Sequence, residues 1–213
     1  MKMINVRKGG LLSILALCFV VLAGCGGASS TPPASIPVSA QPSSASTEQP
    51  VPVISSTQAS GNDIPDSQAF VIYLSSANTY HLEVPEGWAQ TANGTDVSFA
   101  SDLNALEVTL THAAAQPTAS TVRNDQAVTL QQTGRAIRDV KVQDVHLSTG
   151  PAVLITYTSN SAPNAVTNKQ VRLENNRYLF FHKGNLATLT LSAPVGADNV
   201  DQWARIARSF KWV

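Results

Sequence analysis

Three observations in the sequence predict a mixed α/β domain of the α+β kind, built on an antiparallel sheet. Short runs in which apolar and polar residues alternate, such as Tyr80-His81-Leu82-Glu83-Val84 and Leu106 to Thr111, have the period of strands with one wet face. Between the runs stand turn residues, Asn93-Gly94, Gly150-Pro151 and Asn175-Asn176, which join strands that run in opposite directions. Helical spacing is confined to two segments, about residues 119–133 and the stretch after Asp198. Aromatic residues, charges and period-two patterns begin together near residue 67, so the folded domain is placed at 67–213, a length that suits one core.

Residues 1–24 precede it with the layout of an export signal: Lys2, Arg7 and Lys8, then an apolar run from Leu11 to Leu22, then small residues. The run is about a dozen residues long, short of the roughly 20 that cross a bilayer. Leu22-Ala23-Gly24-Cys25 resembles the lipobox of bacterial lipoproteins. That resemblance implies cleavage before Cys25, a diacylglyceryl group on its thiol with palmitate among the acyl chains, and attachment to the extracytoplasmic face of the cell membrane. Gly26 is not the aspartate that retains enteric-type lipoproteins at the inner membrane, which leaves the outer membrane open in a diderm organism. The other cysteine, Cys18, lies in the segment that would be removed, so no disulfide is expected.

Residues 25–66 are dominated by Ser, Pro, Thr, Ala, Gln and Gly, with Glu48 the only charge before Asp63. Such a composition buries too little apolar surface to offset the entropy of ordering, and a disordered linker is expected. Three of the fourteen basic side chains and none of the fourteen acidic ones precede residue 25, so the remainder carries eleven against fourteen, a charge of −3. This balance argues against a nucleic-acid partner and leaves membrane attachment to the lipid on Cys25.

Within the domain, Phe70 to Leu74 and Tyr80 to Val84 read as strands, the second ending at Pro85-Glu86-Gly87-Trp88, a turn that holds Trp88 against the core. Asn93-Gly94 turns the chain into Val97-Ser98-Phe99, and Leu106, Val108 and Leu110 mark the next strand. One helix is expected over about 119–133, capped by Thr118 or Thr121 and closed by Gly134, with Ala127, Leu130 and Ile137 on its buried side. Val140 and Val142 alternate in one phase and Val145 and Leu147 in the other, which predicts a β-bulge near Gln143-Asp144. Ala152 to Tyr157 is apolar on both faces and reads as a central strand. A hairpin is expected to turn at Asn175-Asn176, and Leu186 to Leu191 forms the last long strand. The final helix has Asp198 as its cap and Asp201 in its first turn. Val200, Trp203, Ala207 and Phe210 form its buried face, and Arg205, Arg208 and Lys211 lie toward its negative end.

The stretches Tyr80 to Trp88, ending in Pro85-Glu86-Gly87-Trp88, and Trp203-Ala204-Arg205-Ile206-Ala207-Arg208-Ser209-Phe210 resemble the PsbP-like family, with its LpqN-type bacterial lipoproteins. The resemblance spans residues 67–213. It implies an α/β/α sandwich, an antiparallel sheet covered by helices on both faces, and a domain that binds partners rather than catalysing a reaction. It transfers no binding residue to a position of this chain.

No Gly-x-Ser-x-Gly, Ser-x-x-Lys or His-Glu-x-x-His pattern is present. His81, His112, His146 and His182 lack the short spacings of metal ligands, and nothing selects an acid–base pair from Glu83, Glu86, Asp96, Asp102, Glu107 and Asp144. No enzyme, cofactor or metal is therefore expected, and Cys25 is the one site residue assigned. The expected function is a lipid-anchored extracytoplasmic module that binds an unidentified protein partner or assembly. The alternative is a small-ligand carrier, and a hydrolytic enzyme stands behind both.

Overall fold

A computed structural model describes residues 48–213; the expected signal, Cys25 and the linker as far as residue 47 lie outside the described residues. A short helix α1 (Ser56–Ser60) precedes strands β1 (Phe70–Leu74), β2 (Tyr80–Pro85), β3 (Ala89–Asn93), β4 (Asp96–Ser101) and β5 (Asn104–His112). Helices α2 (Ala119–Asn124) and α3 (Gln126–Thr133) follow. They lead into β6 (Arg138–Leu147), β7 (Gly150–Asn160), β8 (Arg172–His182) and β9 (Asn185–Pro194), and the chain ends with α4 (Val200–Ser209) and β10 (Lys211–Trp212). All strand pairs are antiparallel, in a seven-stranded sheet ordered β3-β4-β5-β9-β8-β7-β6 and a three-stranded sheet ordered β1-β2-β10.

The large sheet is covered on both sides, as the α/β/α expectation requires. Ala152, Leu154, Tyr178, Phe180, Leu189 and Leu191 point to one face, where Tyr80, Leu82 and Val84 of the small sheet and Trp203, Ile206 and Phe210 at α4 close the main core. Their strand neighbours Val153, Ile155, Tyr157 and Leu179 point to the other face and meet Val122 of α2 and Leu130 of α3. β7 is thus buried on both sides as expected, in a place second from the edge rather than central. Trp88 is half-buried against the main core behind its turn.

Several elements differ from expectation for identifiable reasons. The single helix over 119–133 is broken at Asp125, and Thr118 caps the first piece by accepting from Thr121 N. The bulge lies at Asp139–Val140, with Asp139 in a left-handed conformation, and pairing from Lys141 to Leu147 is regular. The phase change at Gln143-Asp144 arises from covering: Val140 and Val142 lean on the α2–α3 core, Val145 and Leu147 on the main core.

Asn175-Asn176 is not a turn. β8 runs straight through it, with Asn175 donating to Ser159 Oγ at 2.9 Å, because a buried amide with partners is tolerated inside a strand. The turn is Lys183-Gly184, both at positive φ, as a two-residue hairpin demands. The cap position of α4 is Asn199, not Asp198, and its side chain is engaged elsewhere: it accepts from Ile64 N at 2.6 Å and donates to Asn104 Oδ1 at 3.0 Å. Val200 is exposed, and Ile206 takes its expected place in the core. The expected linker runs to residue 66, yet residues 48–66 pack on the domain, with Ala59 and Ile64 buried and Asp66 accepting from Gln202 Nε2. Two apolar anchors and a set of hydrogen bonds to distant strands order a segment whose composition alone reads as coil.

Candidate binding site

A cleft of about 540 Å³ lies where β7 begins and β8 ends. That volume falls within the range of small-molecule sites. Its walls come from three places in the chain: Ser148, Thr149 and Pro151 at the β6–β7 turn, Phe180 to His182 at the end of β8, and Phe210 to Trp212 at and beyond the end of α4. Gln116, from the segment after β5, completes the lining.

The cleft is aromatic because two segments end on it in register. Phe180 and Phe210 stack with centroids 4.3 Å apart, and Trp212 stands edge-on to Phe210 at 5.4 Å and roughly parallel to the His182 ring at 6.0 Å. Phe210 is in turn stacked on Tyr80 at 5.3 Å, which ties these rings to the core. β10 fixes Trp212 by pairing it with Tyr80 across β2.

Half of the lining residues are polar: Gln116, Ser148, Thr149, His182 and Lys211. Ser148 Oγ donates to Arg208 O at 3.4 Å. Thr149 Oγ1 is buried and has no hydrogen-bond partner among the described residues, a state shared only with Tyr80 OH in the core. Leaving such an oxygen unpaired costs roughly 1–3 kcal/mol. No aspartate or glutamate lines the cleft, and Lys211 is outside both ion pairs of the described residues, Arg135–Glu48 and Arg205–Glu83.

The opposite end of the sheet holds the start of the described chain. Glu48 accepts from Asn160 Nδ2 at 3.0 Å, from Gln170 Nε2, and from Arg135 at 3.4 Å. Val51 N donates to Asn160 Oδ1, which also accepts from the buried Arg172 at 3.1 Å. Arg172 further donates to Ala136 O at 2.7 Å and Thr158 Oγ1 at 2.6 Å. Hydrogen bonds from Asn160 and Gln170 hold the Glu48 carboxyl below its ordinary pKa, with Arg135 adding to the effect. Burial pushes the Arg172 guanidinium down. Ten residues of β7 separate Asn160 from Gly150, so this knot and the cleft stand about 33 Å apart.

The groups weighed as catalysts are dispersed. Asp144 accepts from Ala119 N at 2.7 Å, Asp96 accepts from Leu110 N at 3.1 Å, and Glu83 pairs with Arg205, each a structural contact. Glu86, Asp102 and Glu107 line different parts of the surface. His81, His112 and His146 lie on separate strands, and only His182 reaches the cleft, where no hydrogen bond joins it to Ser148 or Thr149. Among the described residues no three His, Cys, Asp or Glu side chains are placed to share a metal ion, and no helix is long and apolar enough to cross a membrane. A second exposed feature is β1, an edge strand that shows Val71, Ile72 and Leu74 at 44, 71 and 49% exposure. The cleft itself is not legible in the sequence, although the density of rings in Phe180-Phe181-His182 and Phe210-Lys211-Trp212 marks both of its aromatic walls.

No family model matches the sequence and no curated protein does. Solved structures do. The cyanobacterial PsbP protein CyanoP of Synechocystis is similar over 71% of this chain and 98% of its own, at 16% identity and a TM-score of 0.50. The yeast Ran-binding protein Mog1p aligns over 68% of this chain and 95% of its own, at 9% identity and a TM-score of 0.44. LpqN of Mycobacterium tuberculosis, described as involved in cell envelope biogenesis, aligns over 70% of this chain and 86% of its own, at 13% and 0.31. The likeness to CyanoP shows the fold: the described domain has the PsbP-like architecture expected from Pro85-Glu86-Gly87-Trp88 and the final helix.

Proposed function

We propose that the chain is a lipoprotein anchored through Cys25 at the extracytoplasmic face of the membrane, and that its PsbP-like domain is a non-catalytic binding module whose cleft holds a small ligand. The observation that carries the ligand reading is the 540 Å³ cleft with Trp212, His182 and Lys211 among its lining. Its volume is that of a drug-sized pocket with both aromatic and polar walls, and the scattering of histidines and carboxylates gives a reaction no paired acid and base. The chain enters the described domain at Glu48, about 33 Å from the cleft.

The test is to recover the membrane-anchored full chain from its native envelope, extract it with solvent and identify bound small molecules by mass spectrometry. A compound present with the wild-type chain and depleted with Trp212→Ala is expected; nothing small in either sample overturns the carrier reading. Labelled palmitate is expected on the wild-type chain and absent from Cys25→Ser, and label surviving that change overturns the anchor. A protein partner is the second reading, favoured by the exposed apolar side chains of β1 at a free sheet edge. Cross-linking from position 72 to one protein, with no small molecule in the cleft, would put that reading first.

A further inference from the structure

Resting on the reading of β1 as a protein-binding edge, and independent of the cleft, we infer that the strand added there is β1 of a second copy of this chain, antiparallel about a two-fold axis at Ile72. The β1–β2 ladder shows which backbone groups are free. Glu86 N donates to Ala69 O at 2.9 Å and Ser75 N donates to Tyr80 O at 3.0 Å, and the register between them is unbroken from Phe70 opposite Pro85 to Leu74 opposite His81. Bonded and non-bonded positions alternate in an antiparallel pair, so the backbone groups of Val71 and Tyr73 point to β2, and those of Phe70, Ile72 and Leu74 point to the open edge. Setting Ile72 opposite Ile72 of the second copy, and Phe70 opposite its Leu74, gives each of those N–H and C=O groups a partner across the axis.

The side chains suit the same register. Ile72 meets Ile72 and Phe70 meets Leu74 on one face, and Val71 meets Tyr73 on the other, so every cross-strand pair is apolar. A two-fold axis brings like charges together, and residues 67–80 contain no Asp, Glu, Lys or Arg to repel one another. The other sheet edges among the described residues lack this combination. β6 carries Arg138, Asp139, Lys141 and Asp144 and a bulge, β3 has no large apolar side chain, and β10 is two residues long. β1 has no lysine, proline or bulge, and leaves Ile72 71% exposed. Joining two β1 strands uses up both open edges, so the assembly closes at a dimer. The strand is about 17 Å long, and its contact falls short of the roughly 800 Å² per partner of a stable interface, so pairing between free copies is weak. Copies anchored in one membrane through Cys25 meet at a raised effective concentration, where a short contact suffices.

The full chain carrying Ile72→Cys, and separately Leu74→Cys, is oxidised in its native membranes, and peptides joined through the new thiol are identified by mass spectrometry. The two-fold pairing puts the two position-72 Cα atoms about 5.5 Å apart, within disulfide range, and the two position-74 Cα atoms about 14 Å apart, outside it. Both side chains are exposed, so both variants are expected to melt as the wild type does. A link between two copies at position 72 is expected, with the link at position 74 about tenfold weaker or less. Equal yields at the two positions mark random collision and overturn the inference, as does the absence of a link at position 72. A photo-reactive side chain at position 72 reads the rival occupant, and capture of a second copy is expected. Capture of a different protein instead overturns the second-copy assignment and leaves β1 a protein-binding edge, whereas capture of no protein overturns both.

Discussion

Where β7 finishes and β8 begins, Asn160, Gln170 and Arg135 all donate to the Glu48 carboxylate, and Arg172 shares Asn160 Oδ1 with the backbone of Val51. Where β7 begins and β8 finishes, four aromatic rings surround a cleft and a buried threonine oxygen has no partner among the described residues. One sheet carries both ends, and the strands between them are equally regular. A knot in which each donor has its acceptor has one arrangement and fixes the incoming chain. A buried hydroxyl with no protein partner, by contrast, carries a desolvation cost that nothing in the described residues offsets.

Removing a member of the knot should therefore cost stability, most of all at Arg172. The residue is 5% exposed and its guanidinium is held by Ala136 O, Asn160 Oδ1 and Thr158 Oγ1, while Asp139 lies beyond Thr158, accepting from its hydroxyl at 3.0 Å. Arg172→Leu removes three hydrogen bonds at once and takes the guanidinium donor from the buried Ala136 carbonyl. It is expected to cost about 3 kcal/mol, read as a lowered denaturation midpoint with unchanged slope. A loss below 0.5 kcal/mol, on the scale of ordinary surface changes, would break the contrast between the two ends.

The knot also shows why the domain boundary is hard to read. From Glu48 to Asp66 the composition is that of a linker, and Glu48 is its only charge before Asp63. What orders this segment is pairing with Asn160, Gln170 and Asn199, residues more than a hundred positions away, and local composition carries no trace of them. The same limit hides the cleft, whose walls meet only through sheet register. It also explains Asn175, which has turn chemistry in the sequence and a strand's hydrogen bonds in the fold. Patterns that depend on immediate neighbours survive: the buried triad Tyr80, Leu82 and Val84, the Gly94 turn, the Thr118 cap and the Trp203 face of α4. The phase change at Gln143-Asp144 lies between these cases. The alternation is read correctly, but which face each half leans on is decided by α2–α3 and by the main core.

A smaller effect is expected at Glu48, and it depends on pH. Its folded pKa lies below the unfolded value of 4.5, so the deprotonated state favours folding. The contribution is complete above the unfolded pKa and is lost as pH falls through the folded one. Because the side chain keeps 24% of its exposure, solvent screening holds the effect to below about 1 kcal/mol. Thermal melts of Glu48→Gln and wild type should diverge at pH 7 and converge as the pH drops below 4.5. Parallel curves over that range would show that the carboxylate takes no part in fixing the chain.

The sharpest contrast lies in the sign of a single substitution at the cleft. Thr149→Val exchanges a hydroxyl for a methyl of nearly the same shape, and both residues are β-branched, so the turn between β6 and β7 makes the same backbone demand of each. Deleting a polar atom from the knot leaves partners unsatisfied, but deleting Thr149 Oγ1 leaves none, since no protein group in the described residues bonds to it. The buried hydroxyl instead carries its own desolvation cost, which the valine removes. Stability is therefore expected to stay level or rise by up to about 1 kcal/mol, measured by denaturant unfolding without ligand. A level or raised stability marks the Thr149 hydroxyl as a group the sheet end carries without using. Destabilisation by more than 1 kcal/mol would instead place Thr149 with the knot residues, as part of what holds the sheet end together.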